Sequence, residues 1–188
     1  IQACTRAELT SSDMLLILGA GALGASILKI ARLICPHIIA ADVADNKLTE
    51  AAQNGALYTI NVSKEDLESK VKEYTGGHGS TVSIDAACTR DSLLQLLKAT
   101  GNAGRVMTMG FSSAPAEISQ FLITSKELDI RGSRLQNKMF GRAIELVKEG
   151  RLDLTGSASH TFPVTQAQEA FSFVDSHDPS IRKVVLTF

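Results

Sequence analysis

Gly19-Ala20-Gly21-Ala22-Leu23-Gly24 follows the apolar run from Met14 to Leu18, opens an amphipathic segment, and lies 18 residues ahead of Asp42, the last residue of a second apolar run. Each glycine has a physical task in a strand-turn-helix unit built to hold a dinucleotide. Gly19 permits the tight turn out of the strand, Gly21 lets the backbone approach a pyrophosphate, and Gly24 allows helix and strand to pack closely. The phosphates would lie on the unpaired N–H groups at the helix start. A glycine-rich hexapeptide also suits an ordinary turn with no ligand, so the acid downstream carries weight. A carboxylate at the end of the second strand accepts hydrogen bonds from the adenosine ribose and repels a 2′-phosphate, which favours NAD over NADP. No arginine follows in Val43-Ala44-Asp45-Asn46, where a 2′-phosphate would need a cation.

Composition narrows the classes. Of the 188 residues 44% are hydrophobic and 21% charged, and the net charge is -1. These are the proportions of a soluble globular protein of one domain, or one domain with an appended piece. The charge gives no electrostatic reason to bind nucleic acid or an anionic membrane. Cys4, Cys35 and Cys88 are odd in number and far apart, which suits a reducing compartment, so a cytoplasmic location is expected. Lys29, Arg32, Pro36 and His37 interrupt the apolar stretch from Met14 to Ala41, which is therefore no membrane span. No secretory signal pattern is present. The chain begins Ile1-Gln2-Ala3, without methionine, as a piece of a longer protein would.

Along the chain, strands are expected at 14–18, 37–42, 57–61, 81–85, 104–111 and 126–132, and helices at 25–34, 46–54, 65–74 and 92–99. That alternation implies an α/β fold, a Rossmann doubly wound sheet of six parallel strands with helices on both faces. A helix at 138–149 follows, then strand, helix and strand at 159–162, 165–174 and 183–188. The last three do not continue the alternation and point to service in a second domain. The expected division is residues 1–134 for the nucleotide-binding domain and 135–188 for a C-terminal helix and return segment.

Several stretches narrow the reading further: Asp42 to Lys47, Ala52 to Ala56, Ile84-Asp85-Ala86-Ala87, Gly104 to Gly110 and the closing Lys183-Val184-Val185-Leu186. Together they resemble the zinc-dependent medium-chain alcohol dehydrogenases, over nearly the whole chain. Met109 to Ser113, Thr124 to Leu128 and Ser133-Arg134-Leu135 are most similar to the sorbitol-dehydrogenase-like branch, which holds RspB and the L-galactonate and L-idonate dehydrogenases. The resemblance implies cofactor roles. Backbone around Ala22 and Leu23 meets the pyrophosphate, while Asp42 and Lys47 take the adenosine ribose. Ala86, Ala87 and Cys88 lie along the adenosine and ribose. Met109, Gly110 and Phe111 meet the nicotinamide side, and the segment Ser133-Arg134-Leu135 fixes the carboxamide through its backbone. Lys183 or Arg182 places a cation on the pyrophosphate. Lys47, Cys88 and the terminal Arg-Lys pair also have plain readings, as a solvated helix lysine, a small packed side chain and exposed surface charge.

The resemblance also implies what this chain does not carry. In the family a preceding GroES-like catalytic domain supplies a cysteine, a histidine and a glutamate to zinc, and the zinc lowers the alcohol's pKa for hydride transfer to NAD. His37, His78, His160 and His177 stand far apart in this sequence, with no His-x3-His or Cys-x2-Cys spacing and no GxSxG. The implied function is therefore the NAD-binding part of a dehydrogenase that oxidises a secondary alcohol of a polyol or sugar acid to a ketone, the piece by itself being inactive. Its partners would be that small-molecule substrate and further copies of the chain, as a homodimer or homotetramer joined through the sixth-strand edge. A non-catalytic nucleotide-sensing domain, or a methyltransferase with the same glycine turn, would use these residues differently.

Overall fold

The computed structural model describes residues 1–176, 178 and 180–188; His177, one of the four histidines, lies outside the described residues. The chain divides into two compact units, Ile1–Leu152 and Asp153–Phe188. In order, the first unit contains α1 (Gln2–Arg6), β1 (Met14–Leu18), α2 (Ala22–Ala31), β2 (His37–Asp42), α3 (Asp45–Gln53), β3 (Tyr58–Asn61), α4 (Leu67–Tyr74) and β4 (Ser80–Asp85). It continues with α5 (Ser92–Ala99), β5 (Thr100–Thr108), α6 (Gln120–Thr124), β6 (Asp129–Gly132) and α7 (Phe140–Lys148).

The six strands form one parallel sheet in the order β3-β2-β1-β4-β5-β6. This is the doubly wound order, with its switch point between β1 and β4, where ligands bind outside the carboxyl ends of the strands. Strand periodicity explains the two cores. Successive side chains of a strand point to opposite faces, so Leu15 and Ile17 pack with Ile38, Ala40, Val82 and Ile84 under Ile27, Leu28 and Ala31 of α2. Leu16 and Leu18 pack with Ile39, Ala41, Ile60 and Val106 under Val71 of α4 and Leu96 and Leu97 of α5. Each fully buried aliphatic side chain contributes about 1.5–3 kcal/mol relative to exposure. Both faces are covered, so β1 and β2 read as unbroken apolar runs.

Boundaries shift where side chains intervene. The fourth helix element starts at Leu67 rather than 65 because Asp66 caps it, its carboxylate accepting from the Ser69 N–H at 2.9 Å. The last strand of the sheet begins at Asp129 rather than 126. Lys126 instead turns its ammonium onto the carbonyls of Leu97, Lys98 and Thr100 at the end of α5 (3.0, 2.6 and 2.9 Å). Strand β5 runs 100–108, so Met109, Gly110 and Phe111 stand in the loop beyond it. The short helices α1 and α6 have no counterpart among the sequence expectations.

α7 belongs with the first unit, since Leu146 and Leu152 join its core; compactness thus divides the chain after 152, whereas the sequence boundary falls after 134. In the second unit β7 (His160–Pro163) pairs in parallel with β8 (Val184–Thr187), with a 3-10 turn and α8 (Ala167–Asp175) between them. His160 and Phe162 pack against Phe173 of α8 (ring centroids 4.7 and 6.0 Å). Among the described residues no helix is long and apolar enough to cross a membrane.

A buried ion pair ties α1 to the sheet. Asp13 accepts from Thr81 (2.7 Å), from Thr10 through both N–H and hydroxyl (2.7 and 2.8 Å), and from the Arg105 guanidinium. Arg105 also donates to the carbonyls of Ala7 and Glu8 just after α1 (2.8 and 2.7 Å). Burial pushes the Asp13 carboxyl up, but the Thr81 and Thr10 hydrogen bonds and Arg105 outweigh it and hold it below its ordinary value. A carboxyl lowered in the folded state stabilises the fold above its unfolded pKa of about 3.9, and that contribution is lost as pH falls through the folded value. Asp13→Ala is expected to cost about 3 kcal/mol at pH 7 by leaving Arg105 half-buried without its acid. Urea unfolding should show the gap from wild type narrowing below about pH 4; a gap constant to pH 3 would mean the carboxylate charge is immaterial.

Candidate cofactor site

Parallel register brings the strand ends level. Ala41 is opposite Leu18, Leu18 opposite Asp85, Asp85 opposite Thr108 and Thr108 opposite Gly132. The loops that follow therefore line one crevice at the carboxyl edge of the sheet. It is made by Gly19–Gly21 after β1, Asp42 at the end of β2, Ala86–Cys88 after β4, Met109–Phe111 after β5 and Ser133–Leu135 after β6.

The three glycines are required for different reasons. Gly19 has φ +98°, and a Cβ there would lie 2.5 Å from the Ala87 nitrogen, so the turn is pressed against the loop after β4. A Cβ on Gly24 would lie 1.8 Å from the Gly19 carbonyl oxygen, so only glycine lets α2 start this close to β1. Gly21 is unlike both. It has an ordinary φ of -68°, and an added Cβ meets nothing within 4 Å. Nothing inside the chain requires glycine there, and the open space lies at the helix N-terminus. No side chain caps α2, and its first turn holds no acid. The first-turn N–H groups, those of Ala22 and Leu23 foremost, are left for an outside acceptor such as a phosphate.

Asp42 is 8% exposed. One carboxylate oxygen accepts from the Ala20 N–H at 2.7 Å and the other from the Ala44 N–H at 3.0 Å, with the Lys47 ammonium 3.9 Å away. The acid therefore braces the glycine turn as well as presenting oxygens at the crevice. Asp85 braces the loop after β4 in the same way. Its oxygens accept from the Cys88 N–H and the Ser92 hydroxyl, both at 2.8 Å, and hold Cys88 at φ +54°. Burial, then the nearby Asp85 charge, push the Cys88 thiol up, so it stays protonated at neutral pH and is a packed side chain there.

At the other end Ser133 donates its N–H to the Thr108 carbonyl at 3.0 Å. Its hydroxyl is buried and has no protein partner. Leu135 is left-handed at φ +53° and 76% exposed. Gly110 approaches Cys88, where an added Cβ would stand 3.7 Å from the Cys88 Cβ. Phe111 is 70% exposed, and the Arg134 guanidinium lies over its ring at 4.9 Å.

The residues expected at a cofactor that lie in the first unit come together along this crevice, while Arg182 and Lys183 are in the second. Lys183 belongs to the second unit, where its carbonyl accepts from the Ser159 N–H at 2.9 Å. Sequence reasoning missed Ala20, Asp85 and the partnership of Arg134 with Phe111. Asp85 left a signal, because a carboxylate closing an apolar strand must find donors. Among the described residues no three His, Cys, Asp or Glu side chains are grouped to hold a metal ion.

The glycine geometry is testable on the fold alone. Gly24→Ala should cost about 2–4 kcal/mol, because backbone must move. Gly21→Ala should cost no more than about 1 kcal/mol, the difference between the two residues at an N-cap. Urea midpoints compare them, and equal losses would contradict the steric assignment.

The chain resembles known proteins over this whole region. The family model for zinc-binding dehydrogenases matches residues 21–149. The starvation-sensing protein RspB of Escherichia coli K12 is 34% identical across 95% of this chain and 53% of its own length. An erythritol/L-threitol dehydrogenase of Mycolicibacterium smegmatis is 30% identical across 97% of this chain and 51% of its own. The crystal structure of the rspB alcohol dehydrogenase of E. coli CFT073 complexed with NADH, 32% identical, superposes with a TM-score of 0.91 over 100% of this chain and 56% of that one. Other relatives are dehydrogenases of threonine, a sugar acid and sorbitol. The chain spans about half the length of the curated relatives it matches. With most of its first unit matched by that model and its fold shared throughout with a relative at 32% identity, the chain belongs to the zinc-dependent medium-chain dehydrogenases.

Proposed function

We propose that this chain is the NAD-binding part of a dehydrogenase that oxidises a secondary alcohol of a polyol or sugar acid to a ketone. The observation that carries the reading is the pairing of an open Gly21 at an uncapped helix N-terminus with the buried Asp42 carboxylate at the next strand end. The NADH bound to the E. coli relative supports it. In this reading the N–H groups of Ala22 and Leu23 hold the pyrophosphate, while Asp42 and Lys47 hold the adenosine ribose. Ala87 and Cys88 line the middle of the crevice, and Met109, Gly110 and Phe111 bound the nicotinamide. The backbone of Ser133 and Leu135 holds the carboxamide, and the unpartnered Ser133 hydroxyl offers it a further hydrogen bond.

When bound, NAD supplies the hydride acceptor. What this chain does is orient that acceptor and select it. The Asp42 carboxylate would stand against a 2′-phosphate, since two anions at hydrogen-bonding distance repel strongly in a half-buried site. Among the described residues no metal cluster is present; as the family resemblance implies, zinc would be held by a cysteine, a histidine and a glutamate of a preceding domain.

Calorimetric titration of this chain should show NAD binding at least about 100-fold tighter than NADP, the effect of a few kcal/mol of charge repulsion. Gly21→Ala should weaken NAD by about tenfold or more without unfolding the chain, because the methyl fills the space the phosphates need. Absence of saturable NAD binding to the folded chain would remove the reading.

The same chain, given NAD, zinc and sorbitol or L-galactonate, should produce no NADH above the blank. Turnover by this chain alone would show that the alcohol is activated by residues placed here in no such role.

A further inference from the structure

The Arg134 guanidinium carries a positive charge for which the described structure provides no acid. Among the described residues it forms no ion pair or hydrogen bond, and it lies over the face of Phe111 at 4.9 Å. A ring face orients a guanidinium without neutralising it. The two residues come from different loops, Phe111 after β5 and Arg134 after β6, and both are exposed. The base of the arrangement is fixed by the Ser133 N–H on the Thr108 carbonyl, at 3.0 Å, and by the left-handed turn at Leu135. The cation is thus held out at the carboxyl edge of the sheet on a built platform.

Strand order shows which region of the crevice it serves. From Asp42 on β2 the sheet runs through β1, β4 and β5 to β6. Neighbouring parallel strands lie about 4.8 Å apart, so four steps put the loop after β6 roughly 19 Å from the adenosine end. The pyrophosphate belongs to the N-terminus of α2, between those ends. Arg134 therefore stands by the ring that exchanges hydride, not by the phosphates. A planar guanidinium presents paired donors in the geometry of a carboxylate.

We infer that Arg134, laid on Phe111, is a specificity-determining residue that receives the carboxylate of the substrate, so that the alcohol oxidised belongs to a hydroxy acid of the sugar-acid class rather than to a neutral polyol. This rests on the reading of the crevice as a dehydrogenase's NAD site. Phe111 is the positioning residue, acting through the guanidinium.

The test uses the full-length protein that contains this chain, with L-idonate and L-galactonate as acid probes and sorbitol and xylitol as neutral ones. In Arg134→Met the ratio of kcat/KM for acid over polyol should fall roughly 10- to 100-fold, the effect of losing one charged hydrogen-bond pair. The loss should sit in KM for the acid, with KM for the polyol and Kd for NADH within twofold of wild type. Arg134→Lys should recover some of the ratio, and Phe111→Leu should lower it to a lesser extent. A wild type that prefers the polyols, an unchanged ratio in Arg134→Met, or a rise in the NADH Kd that accounts for the loss would each overturn the inference. In the first two cases NAD-dependent oxidation would survive and only this assignment would fall. If the full-length protein bound no NADH and oxidised none of the four probes, the function reading itself would fail and take this inference with it.

Discussion

The tightest glycine in the chain is held between two backbones: the Gly19 carbonyl oxygen occupies the place where a Cβ of residue 24 would lie. Only a glycine at the first turn of α2 lets that helix begin against the strand it has just left. From this contact follow the crossover onto β2, the level ends of β2, β1 and β4, and the exposure of an uncapped helix N-terminus at the switch point of the sheet. Asp42 completes the turn from the side, since its hydrogen bond to the Ala20 N–H fixes the segment between Gly19 and Gly24. One carboxylate thus shapes the loop and presents itself beside it. Binding to such a site needs little reorganisation of the chain, which is where preorganised sites gain their affinity.

The strands β1 and β2 stand within the bounds their residues imply, because apolar runs buried on both faces end abruptly at polar or glycine residues, and the helix α5 does so because its apolar face repeats from Ser92 to Ala99. Less legible segments fail for identifiable reasons. α1 and α6 have five residues each, too few for a helical period to repeat, and their helicity comes from packing rather than propensity. Glu65 and Lys126 look like ordinary members of a helix and a strand until side chains claim the neighbouring backbone: Asp66 caps α4 from outside, and Lys126 closes the end of α5.

The site divides the same way. The glycines and Asp42 are legible because each answers to a local geometric need with a fixed spacing. The pairs Ala20–Asp42 and Arg134–Phe111 join residues more than twenty positions apart whose relation is made by the sheet. Spacing within one segment carries no information about them. Asp85 is the intermediate case, since its buried carboxylate demands donors but the sequence does not say which.

Backbone strain is spread unevenly along the crevice. Among the described residues seven non-glycine positions have positive φ, and four of them, Cys88, Leu135, Asn137 and Lys138, follow β4 and β6. A left-handed leucine costs on the order of 1–2 kcal/mol, and the buried hydroxyl of Ser133 beside it lacks a partner. The glycine turn holds its special conformation at Gly19, where glycine adopts it freely. The two ends of the crevice are therefore built on different terms: at one the Asp42 carboxylate accepts a hydrogen bond on each oxygen without strain, while the end at Ser133–Leu135 keeps an unmet hydrogen bond and a conformation its residues do not favour. Costs of this kind persist only where the surrounding structure holds them in place, and they concentrate at binding and reacting positions. In the proposed reading the end at Asp42 would need only to recognise a constant group, the adenosine ribose. In that reading the other end would have to hold one reacting ring against another molecule, and it is there that the chain departs from its local preferences.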